Sequence, residues 1–482
     1  MEAGEQAEGG ADQARLGGAR ARRSDAELNA KRIVESAVSL LHSDSDVSVD
    51  EVAKNAGVSR ATVYRHFDSR EALLKVARQR SRVLADANEV DSLRPAGELA
   101  GGPTALDVTD VLNKVPPHLL GDQIVAEAQR LAGVSSVALY LIDIDGGLLL
   151  RHAGSEEFPR EIDAPFAVGP EIPREGLPVL EEALAELLPG STLAPMLLRG
   201  RAVGILLATD AANGTLDELA RQAAAAVALA NAYTDVFDAT RRRKETSAAS
   251  EIQQNLLPPR IARIAGGVVS GNVLPGYDVG GDWFDYVENR DGAWLGVADS
   301  VGNGARAAAM GGVSLGAFRA KRRVDAELED AALAIDRTMR EVGIDDAVVN
   351  AILARWHGPS ATLTWIACGD QCPVLIHPDN TLEPLDTTAH ESLGRGPAQR
   401  EFHRDRRRLQ PDDRVLLLSD GVLERRTPDG GPFGIDGVRT AIATAGAGAA
   451  ATVRAIEDAL VEWSVEPLED DATIVVFAPS GT

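Results

Sequence analysis

Four aspartates, Asp282, Asp299, Asp420 and Asp470, stand beside apolar runs in "GGDWFD", "WLGVADS", "VLLLSDG" and "LEDDATIVVF". A carboxylate held at the edge of a buried strand is costly unless a cation or a set of donors compensates it. Any one of them, such as Asp420 before Gly421, reads most simply as a turn residue. Together, with no His or Cys among them, they point to oxygen-only ligation, which selects Mg2+ or Mn2+ over Zn2+. Two such ions sharing a carboxylate would activate a bridging water for in-line attack on a phosphoryl group.

The elements that must position these residues run from Pro258 to the C-terminus. There strands alternate with helical stretches over 304–322 and 326–342, enough for one α+β domain over 258–480. Upstream, helical character runs through "DVFDATRRRKETSAASEIQQNLL" until Pro258-Pro259 stops it. Residues 235–257 therefore read as a rigid connector helix, with "RRRK" at 241–244 on a solvated face. Over 104–234 the pattern is mixed α/β: an amphipathic helix "DQIVAEAQRLAG", a strand pair turning at Asp145-Gly146-Gly147, a hairpin about Arg199-Gly200 and a closing helix "LDELARQAAAAVALANAY". Residues 1–24 lack periodicity and read as a disordered tail, 25–80 are helical, and 81–103 read as a linker.

A length of 482 residues fits about three domains. The net charge of −24 argues against non-specific nucleic-acid or membrane binding by the whole molecule, so any DNA contact must be local. The two cysteines, Cys368 and Cys372, fit a reducing cytoplasm and exclude a disulfide framework. Their spacing, without a second pair, does not make a zinc knuckle. The N-terminus has no apolar core of the signal-peptide kind, and no apolar run approaches the ~18 residues of a membrane span. A cytoplasmic protein is the expectation.

The local contact with DNA is legible in "SVDEVAKNAGVSRATVYRHF", residues 48–67. Val49, Val52 and Ala53 face inward from a first helix, Gly57 permits the turn, and Ser59 caps a second helix whose Val63 and Phe67 return to the core. Arg60, Thr62, Tyr64 and His66 are then expected to face outward, where a recognition helix meets phosphates and base edges. Between Ser59 and Arg82, seven Lys and Arg face only Asp68 and Glu71, a local basic footprint.

The run from Ile33 to Leu74, above all "VAKNAGVSRATVYRHFDSREALL", resembles the DNA-binding domain of TetR/AcrR-type repressors, although no all-helical ligand-binding domain follows it. The hairpin "APMLLRGRAVGILLA" with its following helix resembles a GAF sensory domain, in which Tyr140, His152, Phe158 and Phe166 read as core. "GGDWFD", "VADSVGNGARAAAM", "LLLSDGVLE" followed by "PFG", and "DDATIVV" resemble, in that order, the SpoIIE/RsbU branch of the metal-dependent type 2C serine/threonine protein phosphatases. "EIQQNLLP" resembles the regulatory helix of that branch.

These resemblances imply an all-α helix-turn-helix, an α/β GAF-like sensor that dimerises the chain, and a phosphatase β-sandwich flanked by helices. They imply two Mn2+ or Mg2+ ions: Asp299 bridging both, Asp282 and the Ser300 carbonyl completing one site, and Asp420 with Asp470 holding the other. Asp471 is expected only to orient its neighbour. The implied substrate is a phosphorylated anti-sigma-factor antagonist. The chain departs from the family at Asn303, where a basic residue is usual, and in "ACGDQCPVLI", where Asn-Ala-Gly-His-Asn-Pro-Pro is usual. A transcriptional regulator whose phosphatase-like domain only binds a partner is the alternative.

Overall fold

The computed structural model describes residues 32–34, 36–37, 40, 48–67, 69–70 and 72–74, and then 105–479 apart from short gaps at 165, 244–245, 265, 277–279, 290–291, 344–346, 428–429, 444 and 465. The chain divides into two compact units, 1–102 and 103–482.

In the first unit, α1 (Val49–Ala56) opens with a capping box in which Ser48 and Glu51 satisfy each other's backbone N–H groups. It closes on Gly57 at φ 67°, the left-handed conformation that glycine adopts without a Cβ penalty. The helix α2 (Arg60–His66) is capped by Ser59, whose side chain accepts from Thr62 N–H. Ile33, Ala37, Val52, Ala53, Val63, Leu73 and Leu74 make its core. The expected tail and linker and the basic residues from Lys75 to Arg82 lie outside the described residues.

The second unit begins with α3 (Ala105–Lys114) and α4 (Leu120–Ala132). An antiparallel sheet follows, built from β1 (Val137–Ile142), β2 (Leu148–Gly154), β3 (Glu161–Asp163), β4 (Ile172–Pro173), β5 (Ser191–Leu198) and β6 (Arg201–Thr209), with α5 (Leu177–Leu187) inserted before β5 and α6 (Asp217–Ala230) after β6. Its order is β3-β2-β1-β6-β4, with β5 also paired to β6. Both faces of β1 are covered, which is why "VALYLI" is apolar at every position instead of alternating. Tyr140 and Phe158 are buried in the core, as expected, and Phe166 packs partly against it. His152 is half-buried and hydrogen-bonds Thr240.

The expected continuous connector is two helices, α7 (Val236–Arg241) and α8 (Ala248–Leu256). Arg242 leaves the helix with φ −98° and ψ 120°, and Ser247 starts the next one by accepting from Ser250 N–H, so a local cap wins over helical periodicity. Nor is "RRRK" simply solvated: the Arg241 side chain is only 14% exposed, and Arg242 pairs with Glu251.

Beyond α8 two sheets pack face to face. One, in the order β14-β13-β16-β17-β8-β7, contains β7 (Ile261–Ile264), β8 (Gly267–Leu274), β13 (Val374–Ile376), β14 (Leu382–Pro384), β16 (Arg414–Leu418) and β17 (Ala472–Pro479). The other, in the order β15-β12-β11-β10-β9, contains β9 (Trp283–Asn289), β10 (Gly292–Ser300), β11 (Val349–His357), β12 (Thr362–Cys368) and β15 (Asp405–Arg408). Val269, Phe284, Val297, Trp356, Leu417 and Phe477 fill the space between them.

The predicted helices are present as α9 (Gly304–Arg323) and α10 (Leu328–Glu341), packed on the outer face of the second sheet. The first sheet carries a layer that the sequence reading lacks: α12 (Gly434–Ile442) and α13 (Ala449–Trp463), preceded by the short α11 (Asp420–Leu423). In the "AGAGAAATVRAIEDALVEW" run Val453, Ile456 and Leu460 recur at helical spacing and face the sheet.

Candidate active site

Four strand ends meet at one end of the sandwich. Asp282 immediately precedes β9, Asp299 is the penultimate residue of β10, Asp420 follows β16 after Ser419, and Asp470 lies just before β17. Antiparallel pairing brings them together two by two: Ala298 sits opposite Trp283 in one sheet and Leu418 opposite Ile474 in the other, so the start of one strand adjoins the end of its neighbour, and face-to-face packing of the sheets joins the two pairs. Oxygens of Asp299, Asp420 and Asp470 all lie within 4.8 Å of one another. Asp282 is buried beside them, close enough for the Asp299 charge to act on its carboxyl.

Close backbone approach explains the glycines. A Cβ on Gly281 would lie 2.3 Å from the Ala307 carbonyl oxygen and 2.6 Å from Ser300 Cβ, so only glycine brings the Asp282 strand against the start of α9. A Cβ on Gly421 would lie 2.1 Å from the Asp471 carbonyl oxygen, so Asp420-Gly421 is more than a turn signal.

The electrostatics is that of a site short of positive charge. Burial first, then the charges of Asp299 and Asp471, hold Asp282 well above the ordinary carboxylate range. Burial and then Asp420 push Asp299 up to about 7. Asp420 and Asp470 are also raised, in each case chiefly by burial. Asp282 Oδ1 and Asp420 Oδ1 are buried and have no hydrogen-bond partner among the described residues. Orphaned carboxylate oxygens beside a three-carboxylate cluster fit a hard divalent cation such as Mg2+ or Mn2+.

The supporting residues are mostly invisible to motif reading. Thr473 Oγ1 donates to Asp282 Oδ2 at 2.6 Å. Asn350 Nδ2 donates to Asp299 Oδ2 at 3.3 Å, and Ser392 Oγ holds the Asn350 carbonyl oxygen at 2.7 Å. Only the β10–β11 register, which sets Asp299 opposite Asn350, reveals that contact. The Gln371 amide, with its oxygen 3.0 Å from Asp420 N and its nitrogen 2.8 Å from the Leu418 carbonyl, fixes the end of β16. Asp471 N–H donates to Asp470 Oδ1 at 2.7 Å, while Asp471 Oδ1 accepts from Gly276 N–H at 2.8 Å.

One more residue reaches the site from α8. Gln253 is 2% exposed, and its Nε2 donates to the Asp282 carbonyl at 3.2 Å and to Asp471 Oδ2. Arg319 of α9 holds this helix in place by donating to the Leu256 carbonyl at 2.7 Å while pairing with buried Asp285. The sequence signal was "EIQQNLLP" itself, which marks the helix but not which glutamine turns inward. Ser300 is fully buried at the end of β10, and Asn303, exposed, is the N-cap residue of α9 without a side-chain capping bond.

In the first unit, helical geometry separates the expected DNA-facing residues. Arg60 and Tyr64, four apart, share the exposed face, and the Arg60 guanidinium lies 5.7 Å from the Tyr64 ring centroid. Thr62 and His66 are half-buried on the flanks of inward-facing Val63, and the Thr62 hydroxyl is bonded to Ser59 at 2.8 Å. Arg60 also pairs with Asp50 of α1 at 3.0 Å.

Residues 289–479 match the family model of stage II sporulation protein E (SpoIIE), and residues 33–77 match that of bacterial regulatory proteins of the tetR family. The chain thus carries a SpoIIE-type phosphatase domain and an N-terminal tetR-type helix-turn-helix domain. An uncharacterised HTH-type transcriptional regulator of Mycobacterium tuberculosis is 51% identical over 49 residues, 10% of this chain, and the chain spans 24% of that relative's length. Among solved structures, the SiaA-PP2C domain of Pseudomonas aeruginosa is similar at 22% identity and TM-score 0.39, over 43% of this chain and 85% of that one. The RsbU and RsbW domains of Rv1364c from Mycobacterium tuberculosis are similar at 23% identity and TM-score 0.39, over 45% of this chain and 64% of that one. Among the described residues, no helix is long and apolar enough to cross a membrane.

Proposed function

We propose that the chain is a Mn2+- or Mg2+-dependent protein serine/threonine phosphatase of bacterial signalling, acting in the cytoplasm on a phosphorylated anti-sigma-factor antagonist. The observation that carries this reading is the convergence of Asp299, Asp420 and Asp470 inside the segment that matches the SpoIIE family, with Asp282, just upstream of that segment, buried beside them. In this reading Asp299, Asp282 and the Ser300 carbonyl would hold one ion, and Asp420 and Asp470, sharing Asp299, would hold the other. Bound ions of this kind supply Lewis-acid polarisation of the phosphoryl group and an activated water.

The chain's own residues do the positioning. Asn350 fixes the Asp299 carboxylate, Thr473 fixes Asp282, and the Asp471 N–H fixes Asp470, so that their oxygens face a common point before any ligand arrives. A cleft of about 350 Å3 opens beside Asp420 and Asp470 and is lined by Glu424, Arg426 and Thr427. It receives the phosphorylated side chain, with Arg426 the exposed cation in its wall.

The remaining modules complete the proposal. The helix-turn-helix contacts DNA through Arg60, Thr62, Tyr64 and His66, with Arg60 and Tyr64 the most accessible. The middle region acts as a GAF-like sensory and dimerising module whose state reaches the carboxylates through α8.

Hydrolysis of p-nitrophenyl phosphate by the purified chain, with and without Mn2+, tests the enzymatic reading. Activity that requires the metal and disappears in Asp299→Ala is the expected result; an inactive wild type with Mn2+ supplied overturns it and leaves a partner-binding regulator.

A further inference from the structure

A cavity of about 220 Å3 lies away from the carboxylates, where β5 and β6 meet the C-terminal ends of α6 and α7 and the loop that carries Glu171. Its walls are apolar where Val203 and Val227 line them and polar where Arg201, Arg241, Asn231 and Glu171 do. Glu171 is already committed. Its Oε1 pairs with Arg201 Nε at 2.7 Å, and its Oε2 accepts from the N–H of Ile261, the first residue of β7, at 2.8 Å.

Arg241 is not so well matched. Its Nη1 lies 3.5 Å from Asp238, a side chain 42% exposed whose charge is screened by water, and its Nη2 is 3.4 Å from the Val203 carbonyl. Arg241 Nε is buried without a hydrogen-bond partner among the described residues, and burial lowers the pKa of the group. Asn231 spends its Nδ2 on Asp238 at 3.2 Å and leaves its buried Oδ1 unpartnered. An under-compensated guanidinium next to an unused acceptor is expensive to maintain in a small cavity, unless something supplies an anion and a donor together.

We propose that this cavity binds a small organic carboxylate bearing a hydroxyl or amino group beside the carboxyl. The carboxylate meets Arg241, and the neighbouring donor meets Asn231 Oδ1. The volume is below the roughly 300 Å3 at which drug-sized pockets begin, which limits the ligand to a few carbons. Occupancy has a route outward: Arg242, the next residue, pairs with Glu251 on the helix that brings Gln253 to Asp471. Binding itself depends on nothing in the phosphatase reading.

Calorimetric titration of the full chain with glycolate, L-lactate and L-serine, against sodium chloride at equal ionic strength, tests the site without any turnover. Saturable binding of at least one of them with Kd below about 1 mM is expected. Arg241→Met should weaken it at least tenfold, and Asn231→Asp, which adds a negative charge to the cavity from a half-buried position, should weaken it as much even if the arginine variant fails to fold. Arg174→Gln, at an exposed arginine outside the cavity, should leave it unchanged. Absence of saturable binding for all three compounds, or wild-type affinity in Asn231→Asp, overturns the proposal.

Discussion

Gln253 Nε2 donates to the Asp471 carboxylate, joining the helix that precedes the sandwich to the turn that carries Asp470. The same amide also holds the Asp282 carbonyl, so one side chain touches both walls of the carboxylate site. Gln253→Ala should therefore lower Mn2+ affinity, activity or both by roughly 10- to 100-fold, the range for residues that support a metal ligand. Initial rates measured across a Mn2+ titration separate the two effects; unchanged rates at every metal concentration would show that the contact only packs the helix.

Asp299 belongs to the three-carboxylate cluster, and its charge also helps to raise the pKa of buried Asp282. In Asp299→Asn, hydrolysis should fall by more than the ~100-fold that a supporting residue costs. Mn2+ at 100 times its Kd should stabilise the wild type by about 2.7 kcal/mol, and this variant by little. Thermal melts with and without the ion read this directly, and an equal rise in Tm for both proteins would place the metal elsewhere.

Glu457 of α13 is 4% exposed and accepts from Asn272 Nδ2 at 2.7 Å. Burial pushes its carboxyl up to about 7, above the ordinary value of 4.5, so the folded chain holds a proton that the unfolded chain has lost. Its contribution is therefore present below pH 4.5 and is lost as pH rises toward 7. Glu457→Gln should be more stable than the wild type at pH 8, by on the order of 1–3 kcal/mol, with the gap closing toward pH 5. Urea denaturation at the two pH values checks it; a gap that does not change with pH contradicts the assignment.

For the first unit, Tyr64→Ala and Arg60→Ala should each weaken binding to the promoter of the chain's own operon, while Val324→Ala, exposed on the phosphatase domain, should not. Gel shifts at two salt concentrations measure this. Binding that ignores salt would mean that phosphates are not being contacted.

How much of this was legible in the sequence depended on whether the determining interaction was local. The capping of α1 and α2 by Ser48 and Ser59, the turn at Gly57 and the apolar strands around Asp420 and Asp470 involve neighbours within a few residues, and the sequence states them. The strand-end placement of the four aspartates was likewise legible, because each stands beside an apolar run in the sequence. The break at Arg242 escaped because a serine cap at Ser247 overrode a periodic pattern. The layer of α12 and α13 was missed, although Val453, Ile456 and Leu460 recur at helical spacing and face the first sheet.

The sequence by itself determined which residue types were available: carboxylates at strand ends, basic residues in the helix after Ser59, glycines beside aspartates. Only the tertiary structure decided that Asn350 supports Asp299 across a strand register, that Gln253 is the glutamine that turns inward, and that Arg241 lies inside a cavity. The reason is physical: these contacts join residues far apart in the chain, and their energy comes from burial and register, which are properties of the packed sheets and of no short segment alone.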